Sequence, residues 1–126
     1  MTTPENGSSR PGGPDMNVLA NLDDPYETLR WAKTRYDQKE YAKAAEMLAR
    51  LDAEHPRSTE VRELLARSYY HSAQLGRAIA TAEELLEDDP TNAYAAVLLS
   101  RALERSSRHD EAARMRRRAE ALGGQF

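Results

Sequence analysis

Histidine, cysteine and acidic side chains are the groups that would carry catalysis or bind a metal, and their spacing in this chain favours neither. His55, His71 and His109 are scattered, without the two-histidine spacing on one helix that a zinc enzyme needs. The chain contains no cysteine, which excludes disulfides, thiolate metal sites and cysteine nucleophiles. We therefore expect no metal ion and no cofactor.

Acidic pairs and glycines add no catalytic motif. The pairs Glu83–Glu84 and Asp88–Asp89 lie where a predicted helix ends and a turn begins, so a solvated surface explains them better than acid–base catalysis. The glycines lie near the N-terminus, at Gly76 and at the end of the last predicted helix, and form no glycine-rich phosphate loop. The sequence thus predicts a protein that is not an enzyme.

Composition narrows the class of protein further. The 126 residues have room for one domain, and no apolar run approaches the roughly 20 residues that span a bilayer. Eighteen Lys and Arg against 21 Asp and Glu give a net charge of -3, so the chain as a whole is not a polycation. We expect a cytoplasmic protein without membrane contact, and the 15 Arg against three Lys indicate a GC-rich, bacterial genome.

The chain divides into two regions of different composition. Residues 1–23 are rich in Gly, Ser and Pro with almost nothing apolar before Met16, which predicts a disordered N-terminal tail. Residues 24–126 are rich in Ala, Leu, Glu and Arg, which are strong helix formers, and are predicted to form one all-α domain.

This domain is built from an internal repeat of constant period. Alanines that are expected to pack in the core recur at one fixed interval, at Ala44, Ala78 and Ala112. Residues that favour a helix N-cap recur at the same interval, each before an apolar pattern of helical spacing: Asp24, Ser58 and Asn92. Two independent signals therefore predict three units, each a hairpin of two helices: unit one (25–58), unit two (59–92) and unit three (93–126).

The repeated pattern resembles the tetratricopeptide repeat family, whose 34-residue unit folds as two antiparallel helices. The residues that match the family pattern are Ala32, Tyr41, Ala44, Leu48 and Pro56 in unit one, Leu65, Ala66, Tyr69, Ala78, Leu85 and Pro90 in unit two, and Leu99, Ser100, Leu103, Ala112 and Ala119 in unit three. The resemblance implies a right-handed α-solenoid of three helical hairpins, whose first helices line a concave groove for a peptide or helix of a partner. Members of the family act mainly as adaptors, scaffolds and assembly cofactors.

The resemblance also implies which side chains face the groove. A cation occupies the same position in every unit, at Lys33, Arg67 and Arg101. With the tyrosines beside them, these cations suggest that the partner segment is acidic and partly apolar. The predicted partner-binding residues are Tyr26, Leu29, Lys33, Tyr36, Arg67, Tyr70, His71, Tyr94, Val97 and Arg101.

A plainer interpretation of the three cations stays open. Each has an acidic residue three or four positions away on its own predicted helix, so each could simply form a surface ion pair there. The acidic neighbours are Asp37, Glu63 and Glu104. Such exposed pairs contribute about 0 to 1 kcal/mol, so they neither require nor exclude a ligand.

Nucleic acid and a second copy of the chain are two further kinds of partner to consider. Unit three carries seven Arg against four acidic residues, which makes nucleic-acid binding the alternative function, but unit two carries three cations against seven acids and would repel a duplex. We therefore expect a protein partner and no nucleic acid. A homodimer is the other prediction, since a small repeat array can cover its end surfaces with a second copy.

Overall fold

The computed structural model describes residues 24–56 and 58–126, and in this part of the chain every regular element is an α-helix. The predicted disorder of residues 1–23 lies outside the described residues. The helices, numbered here in chain order, are α1 (Pro25–Asp37), α2 (Tyr41–Glu54), α3 (Thr59–His71), α4 (Leu75–Asp88), α5 (Ala93–Arg105) and α6 (His109–Ala121). The first helices of the three units begin at one constant interval along the chain, and the second helices begin at the same interval.

Consecutive helices pack against each other along the whole array, and α3 also contacts α5 directly. This is the predicted all-α solenoid of helical hairpins. Within each hairpin the turn has one residue with positive φ at the same position, and these residues are Lys39, Ala73 and Ser107. In each turn a backbone N–H then bonds the carbonyl five residues earlier, at 2.8 to 2.9 Å, which closes the end of the first helix.

The predicted N-caps are confirmed. The side chains of Asp24, Ser58 and Asn92 each accept a hydrogen bond from a backbone N–H two or three residues further on, at 2.9, 3.3 and 3.0 Å. Each bond satisfies one of the free N–H groups at the start of a first helix. The cap chemistry therefore fixes where α1, α3 and α5 begin.

Asn92 has a second role, because its Nδ2 donates to Glu63 Oε2 of α3 at 3.0 Å. We expect Asn92→Ala to lower the free energy of unfolding by about 1 to 2 kcal/mol, since both the cap and the bond to α3 are lost. Asn92→Asp keeps the cap acceptor but sets a carboxylate against the Glu63 carboxylate, so we expect its loss to shrink as added salt screens the repulsion between the two groups. Urea denaturation followed by circular dichroism at low and at high salt measures both losses, and a loss for Asn92→Asp that does not depend on salt would contradict the second role.

Small residues allow the helices of each hairpin to approach closely. At two repeated positions the side chain is Ala or Ser and is at most 5% exposed: Ala32, Ala66 and Ser100 on the first helices, and Ala44, Ala78 and Ala112 on the second. Larger side chains fill the space around them in two apolar clusters, one in unit one with the start of α3 and one spanning units two and three. Tyr69 packs against both clusters and so joins them.

Arg62 of α3 links three helices. Its Nε lies 2.9 Å from Asp52 Oδ1 of α2, and one terminal nitrogen lies 2.9 Å from Asp88 Oδ2 of α4. The Arg62 side chain is only 16% exposed, and the hydrogen bond to Asp52 raises the pKa of its guanidinium. Because a buried charge without partners is costly, this arginine holds α2 and α4 in register with α3.

Candidate partner-binding face

The predicted site residues belong to α1, α3 and α5, whose common exposed face is called here the first-helix face. Lys33 and Tyr36 of α1 and Arg67 of α3 line one open depression of about 280 Å³, together with Asp37, Glu60, Glu63 and Leu64. Tyr94 of α5 reaches the same place from the other side of Arg67. The structure thus brings together residues from all three units.

Arg67 lies between two aromatic rings. Its guanidinium carbon is 4.9 Å from the centroid of Tyr36 and 5.9 Å from the centroid of Tyr94, both within the range of a cation–π interaction. No acceptor within hydrogen-bond distance of its N–H groups occurs in the described part of the chain. Arg67 is half-buried, so it presents unused donors at the bottom of the depression. This group of Arg67, Tyr36 and Tyr94 is called the Arg67 site.

Tyr94 keeps its proton under all ordinary conditions. Burial raises the pKa of the Tyr94 phenol to about 12, although the positive charge of Arg67 acts in the opposite direction. The phenol is therefore a neutral hydrogen-bond donor beside the guanidinium, and the side chain is still 40% exposed. It can contact a ligand without adding a negative charge to the site.

Lys33 differs from Arg67 because it already has a carboxylate partner. Its Nζ lies 2.7 Å from Glu60 Oε2 of α3, and both side chains are exposed. The pair joins unit one to unit two. The interpretation that Lys33 pairs with Asp37 on its own helix is therefore wrong.

The other two pairs of that interpretation are also not formed among the described residues. Glu63 accepts from Asn92, and Glu104 lies 2.7 Å from His109 Nδ1. The acids that this alternative interpretation pairs with Arg67 and Arg101 thus contact other residues. Both arginines stay without a carboxylate partner in residues 24–56 and 58–126.

Arg101 has an aromatic neighbour that sequence reasoning missed. Its guanidinium carbon is 5.7 Å from the ring centroid of Phe126, and Arg116 lies 4.3 Å from the same centroid. Phe126 stands one full repeat after Asn92, where the repeat predicts a cap residue. The repeat therefore carried no signal that this position would hold an aromatic ring over the third cation.

A cluster of rings surrounds His71 at the end of α3, called here the His71 cluster. Tyr41 stacks on the imidazole at 4.8 Å, and Tyr36 and Tyr70 meet it edge-on at 5.9 and 5.4 Å. Arg105 of α5 covers Tyr70 at 4.8 Å and donates to the Tyr70 carbonyl at 3.1 Å. Tyr41 and Arg105 are not among the predicted site residues, since the repeat pattern marks Tyr41 only as a packing residue.

The neighbours of His71 favour its neutral form. Burial is the larger cause, and the charges of Arg67 and Arg105 add to it, so the pKa of His71 lies below the usual 6.5. In the unfolded chain the imidazole titrates near 6.5, so between that value and the native pKa the unfolded state binds more protons.

We therefore expect acidification below about pH 6.5 to lower the free energy of unfolding through His71. Replacing the imidazole by an amide, in His71→Gln, should remove this part of the pH dependence. Denaturation curves are measured for wild type and variant at a series of pH values. The carboxylates contribute equally to both proteins, so the difference between the two free energies of unfolding reports His71 alone. Equal slopes for wild type and His71→Gln would contradict the expectation.

Three predicted residues lie away from the Arg67 site. Tyr26 is 80% exposed in the first turn of α1, and Leu29 is half-buried against the core of unit one. The sequence predicts that Val97 faces the partner, but Val97 is only 7% exposed. The reason is that the chain after α6 returns across α5, so that a Cβ on Gly124 would come within 2.6 Å of Val97.

The arginines of unit three do not form one patch. Arg116 lies under Phe126 and 3.3 Å from Glu120, whereas Arg118 donates to the carbonyl of Pro90 at 3.1 Å on another side of α6. Among the described residues no group of His, Asp and Glu is arranged to hold a metal ion. None of the six helices has the length and apolar character needed to cross a bilayer.

Comparison with known proteins places this arrangement in a family. A model of the tetratricopeptide repeat matches residues 35–98, about half of the chain. No curated protein sequence matches it. Among solved structures, MamA MSR-1 superposes with a TM-score of 0.79 at 17% identity, covering 86% of this chain and 63% of that one. MamA AMB-1 gives 0.80 at 18% identity, covering 86% and 64%.

A second kind of neighbour is the Sgt2 TPR domain from Aspergillus fumigatus, with a TM-score of 0.71 at 22% identity, covering 81% of this chain and 70% of that one. This chain spans less than two thirds of the length of the two MamA structures. The tetratricopeptide repeat is in general a fold for protein–protein interaction rather than for catalysis. The repeat model and the stacked helical hairpins together show that the chain belongs to the tetratricopeptide repeat family.

Proposed function

We propose that this chain is a non-catalytic interaction module that binds an acidic, partly apolar segment of a partner protein on its first-helix face. The module consists of units one, two and three, residues 25–58, 59–92 and 93–126. The observation that carries the proposal is the Arg67 site, where a half-buried guanidinium lies between two tyrosine rings with no acceptor for its N–H groups among the described residues.

The chemistry of the Arg67 site favours a carboxylate. Two tyrosine rings lie within cation–π range of the guanidinium carbon, and the paired N–H groups of the guanidinium, which have no acceptor among the described residues, match a carboxylate. Tyr36 and Tyr94 hold the group in place and reduce its contact with water, which strengthens the interaction with an incoming charge. We therefore propose a planar anionic group as the occupant next to the Arg67 guanidinium itself, whereas Asp37, Glu60 and Glu63 make the rest of the depression acidic.

Tyrosines beside the cations supply the apolar part of the recognition. Tyr36, Tyr70 and Tyr94 offer large contact areas with few rotatable bonds, and Leu64 contributes to the floor of the depression. Arg101 and Arg105 extend the positive charge along α5. A segment with several acidic residues separated by apolar ones fits this succession.

We propose that Lys33 also binds the ligand, by exchanging its Glu60 partner for a ligand carboxylate. Its bond to Glu60 is an exposed ion pair, which contributes about 0 to 1 kcal/mol, so a ligand carboxylate can replace Glu60 at little cost. The proposed partner-binding residues are thus Lys33, Tyr36, Arg67, Tyr70, His71, Tyr94 and Arg101, and we propose Arg105 as a further one because it covers the ring of Tyr70 at 4.8 Å.

Selection from a random peptide library displayed on phage tests the proposal without knowledge of the partner. Wild-type protein is the bait, and phage that also bind a variant with Arg67→Glu, Arg101→Glu and Arg105→Glu are removed. We expect the remaining peptides to be enriched in Asp and Glu next to apolar residues, and to lose affinity as salt is raised. Peptides without acidic enrichment, or with affinity that is independent of salt, would refute the acidic ligand.

A further inference from the structure

A second groove lies between α4 and α6, the second helices of units two and three. It has a volume of about 450 Å³ and is lined by Glu83, Leu86, Glu87, Leu99, Met115 and Arg118, none of which belongs to the Arg67 site. Leu86 and Leu99 form a buried apolar floor, and Met115 is half-buried beside them. An unbranched methionine can adapt to the shape of whatever lies against it.

The two sides of this groove carry opposite charges. Glu83 and Glu87 are four residues apart on α4, and Arg114 and Arg118 are four residues apart on α6. All four side chains are exposed, and within the described ranges none forms an ion pair. Arg118 donates to the Pro90 carbonyl at 3.1 Å, and Arg114 directly precedes the lining residue Met115. The charges of Arg108 and Glu111 act on Glu83 and Arg114, respectively, without forming an ion pair with them. One side is therefore an acidic row and the other a basic row, each without an ion-pair partner in that part of the chain.

We propose that this groove is a self-complementary interface at which a second copy of the chain binds. A two-fold axis that runs along the groove places α4 of one copy over α6 of the other, so that the acidic row of each copy meets the basic row of its partner and the dimer contains two such contacts. A two-fold axis across the groove would instead place α4 over α4 and α6 over α6, which sets like charges together. The charge pattern thus selects both the occupant and its orientation.

The contact is small, with two helices from each copy and a short apolar floor. Interfaces of this kind belong to weak, transient association, in which charge complementarity sets the orientation and much of the rate of encounter. The dimer should therefore be concentration-dependent and should weaken as salt screens the two rows.

Two charge-reversal variants test the interface directly. Variant A carries Glu83→Arg and Glu87→Arg, so both rows are basic, and variant B carries Arg114→Glu and Arg118→Glu, so both rows are acidic. Each variant alone places like charges together at both contacts. We expect sedimentation equilibrium to show a dimer constant at least about tenfold weaker for each than for wild type.

Mixing the two variants restores every pairing, because the basic α4 of A meets the acidic α6 of B while the basic α6 of A meets the acidic α4 of B. We therefore expect an equimolar mixture to dimerise with an affinity close to that of wild type, at twice the 14.2 kDa of one chain. Circular dichroism of each variant verifies that it is folded. This rescue also distinguishes lost charge pairing from damage to the fold.

Three results would overturn the interface. Wild type could remain monomeric up to millimolar concentration at low salt, the mixture could stay as weak as the separate variants, or assemblies could grow beyond two copies as a head-to-tail contact would produce. Arg67→Glu is the control from the first-helix face and should leave the dimer constant unchanged. The test is therefore independent of the proposed peptide binding.

Discussion

Replacing Leu48 by alanine is expected to lower the free energy of unfolding by about 3 to 5 kcal/mol. Leu48 is the largest apolar side chain that is completely buried among the described residues. Leu48 belongs to the same apolar cluster as Ala32, Ala44 and Ala45, whose side chains are too small to fill the space that the leucine would leave. The cost of a cavity therefore adds to the lost burial of apolar surface, whose scale is about 25 cal/mol per Å².

Urea denaturation followed by circular dichroism measures this loss. Leu75→Ala is the matched control, because Leu75 is only half-buried at the start of α4 and should cost clearly less. Domains of this size have a total stability of about 5 to 15 kcal/mol, so Leu48→Ala should leave the array close to unfolding. A loss for Leu48→Ala no larger than that for Leu75→Ala would show that unit one is not packed as described.

Reversing the charge at Arg67 is the change with the largest expected effect on binding. For an acidic peptide selected from the random library, we expect Arg67→Glu to weaken affinity at least about a hundredfold, since it opposes a carboxylate with a carboxylate in a half-buried site. Isothermal titration calorimetry measures the affinity. Arg67→Lys keeps the charge but loses the flat, forked group, so its effect should be smaller but still clear.

Arg50→Glu is the matched control for overall charge. Arg50 is exposed on α2 and has no ion-pair partner in the residues that the structure describes, so its reversal changes the net charge by the same amount as Arg67→Glu. It should weaken binding only slightly, through long-range electrostatics that salt screens. If Arg50→Glu and Arg67→Glu weakened binding equally, the peptide would be responding to net charge and not to the Arg67 site.

Much of the fold could be predicted because its determinants are local. The N-caps at Asp24, Ser58 and Asn92 act within three residues, and the small residues that let helices approach recur at a fixed spacing. A repeat also supplies each signal three times, so that a predicted helix start in one unit is supported by the equivalent positions in the other two units. These features need no knowledge of which helix neighbours which.

The site could be predicted only in part, because its contacts cross between helices. Sequence spacing brought Asp37 close to Lys33, whereas the structure pairs Lys33 with Glu60, 27 residues away. The position of Val97 in the repeat suggested exposure, but the return of the chain at Gly124 buries it. Such contacts depend on the direction of long side chains and on the path of the chain after α6, neither of which a repeat period specifies.

The contacts of Phe126 are a second feature that the repeat does not predict. The repeat aligns it with cap residues, and nothing in that alignment indicates that its ring would lie over Arg101 and Arg116. The three cations at equivalent positions therefore have three different surroundings: a carboxylate at Lys33, two tyrosines at Arg67 and a phenylalanine at Arg101. Equivalent positions in a repeat do not have equivalent chemistry.

Tyr69 packs against both apolar clusters, and we expect this to affect the order in which the helices of the array unfold. A repeat array whose units are weakly joined frays from its ends, and its amides then exchange with solvent in steps. Here Tyr69 and the three-helix link at Arg62 oppose a break between units one and two. Hydrogen exchange should accordingly show α2, α3 and α4 opening together as one cooperative block.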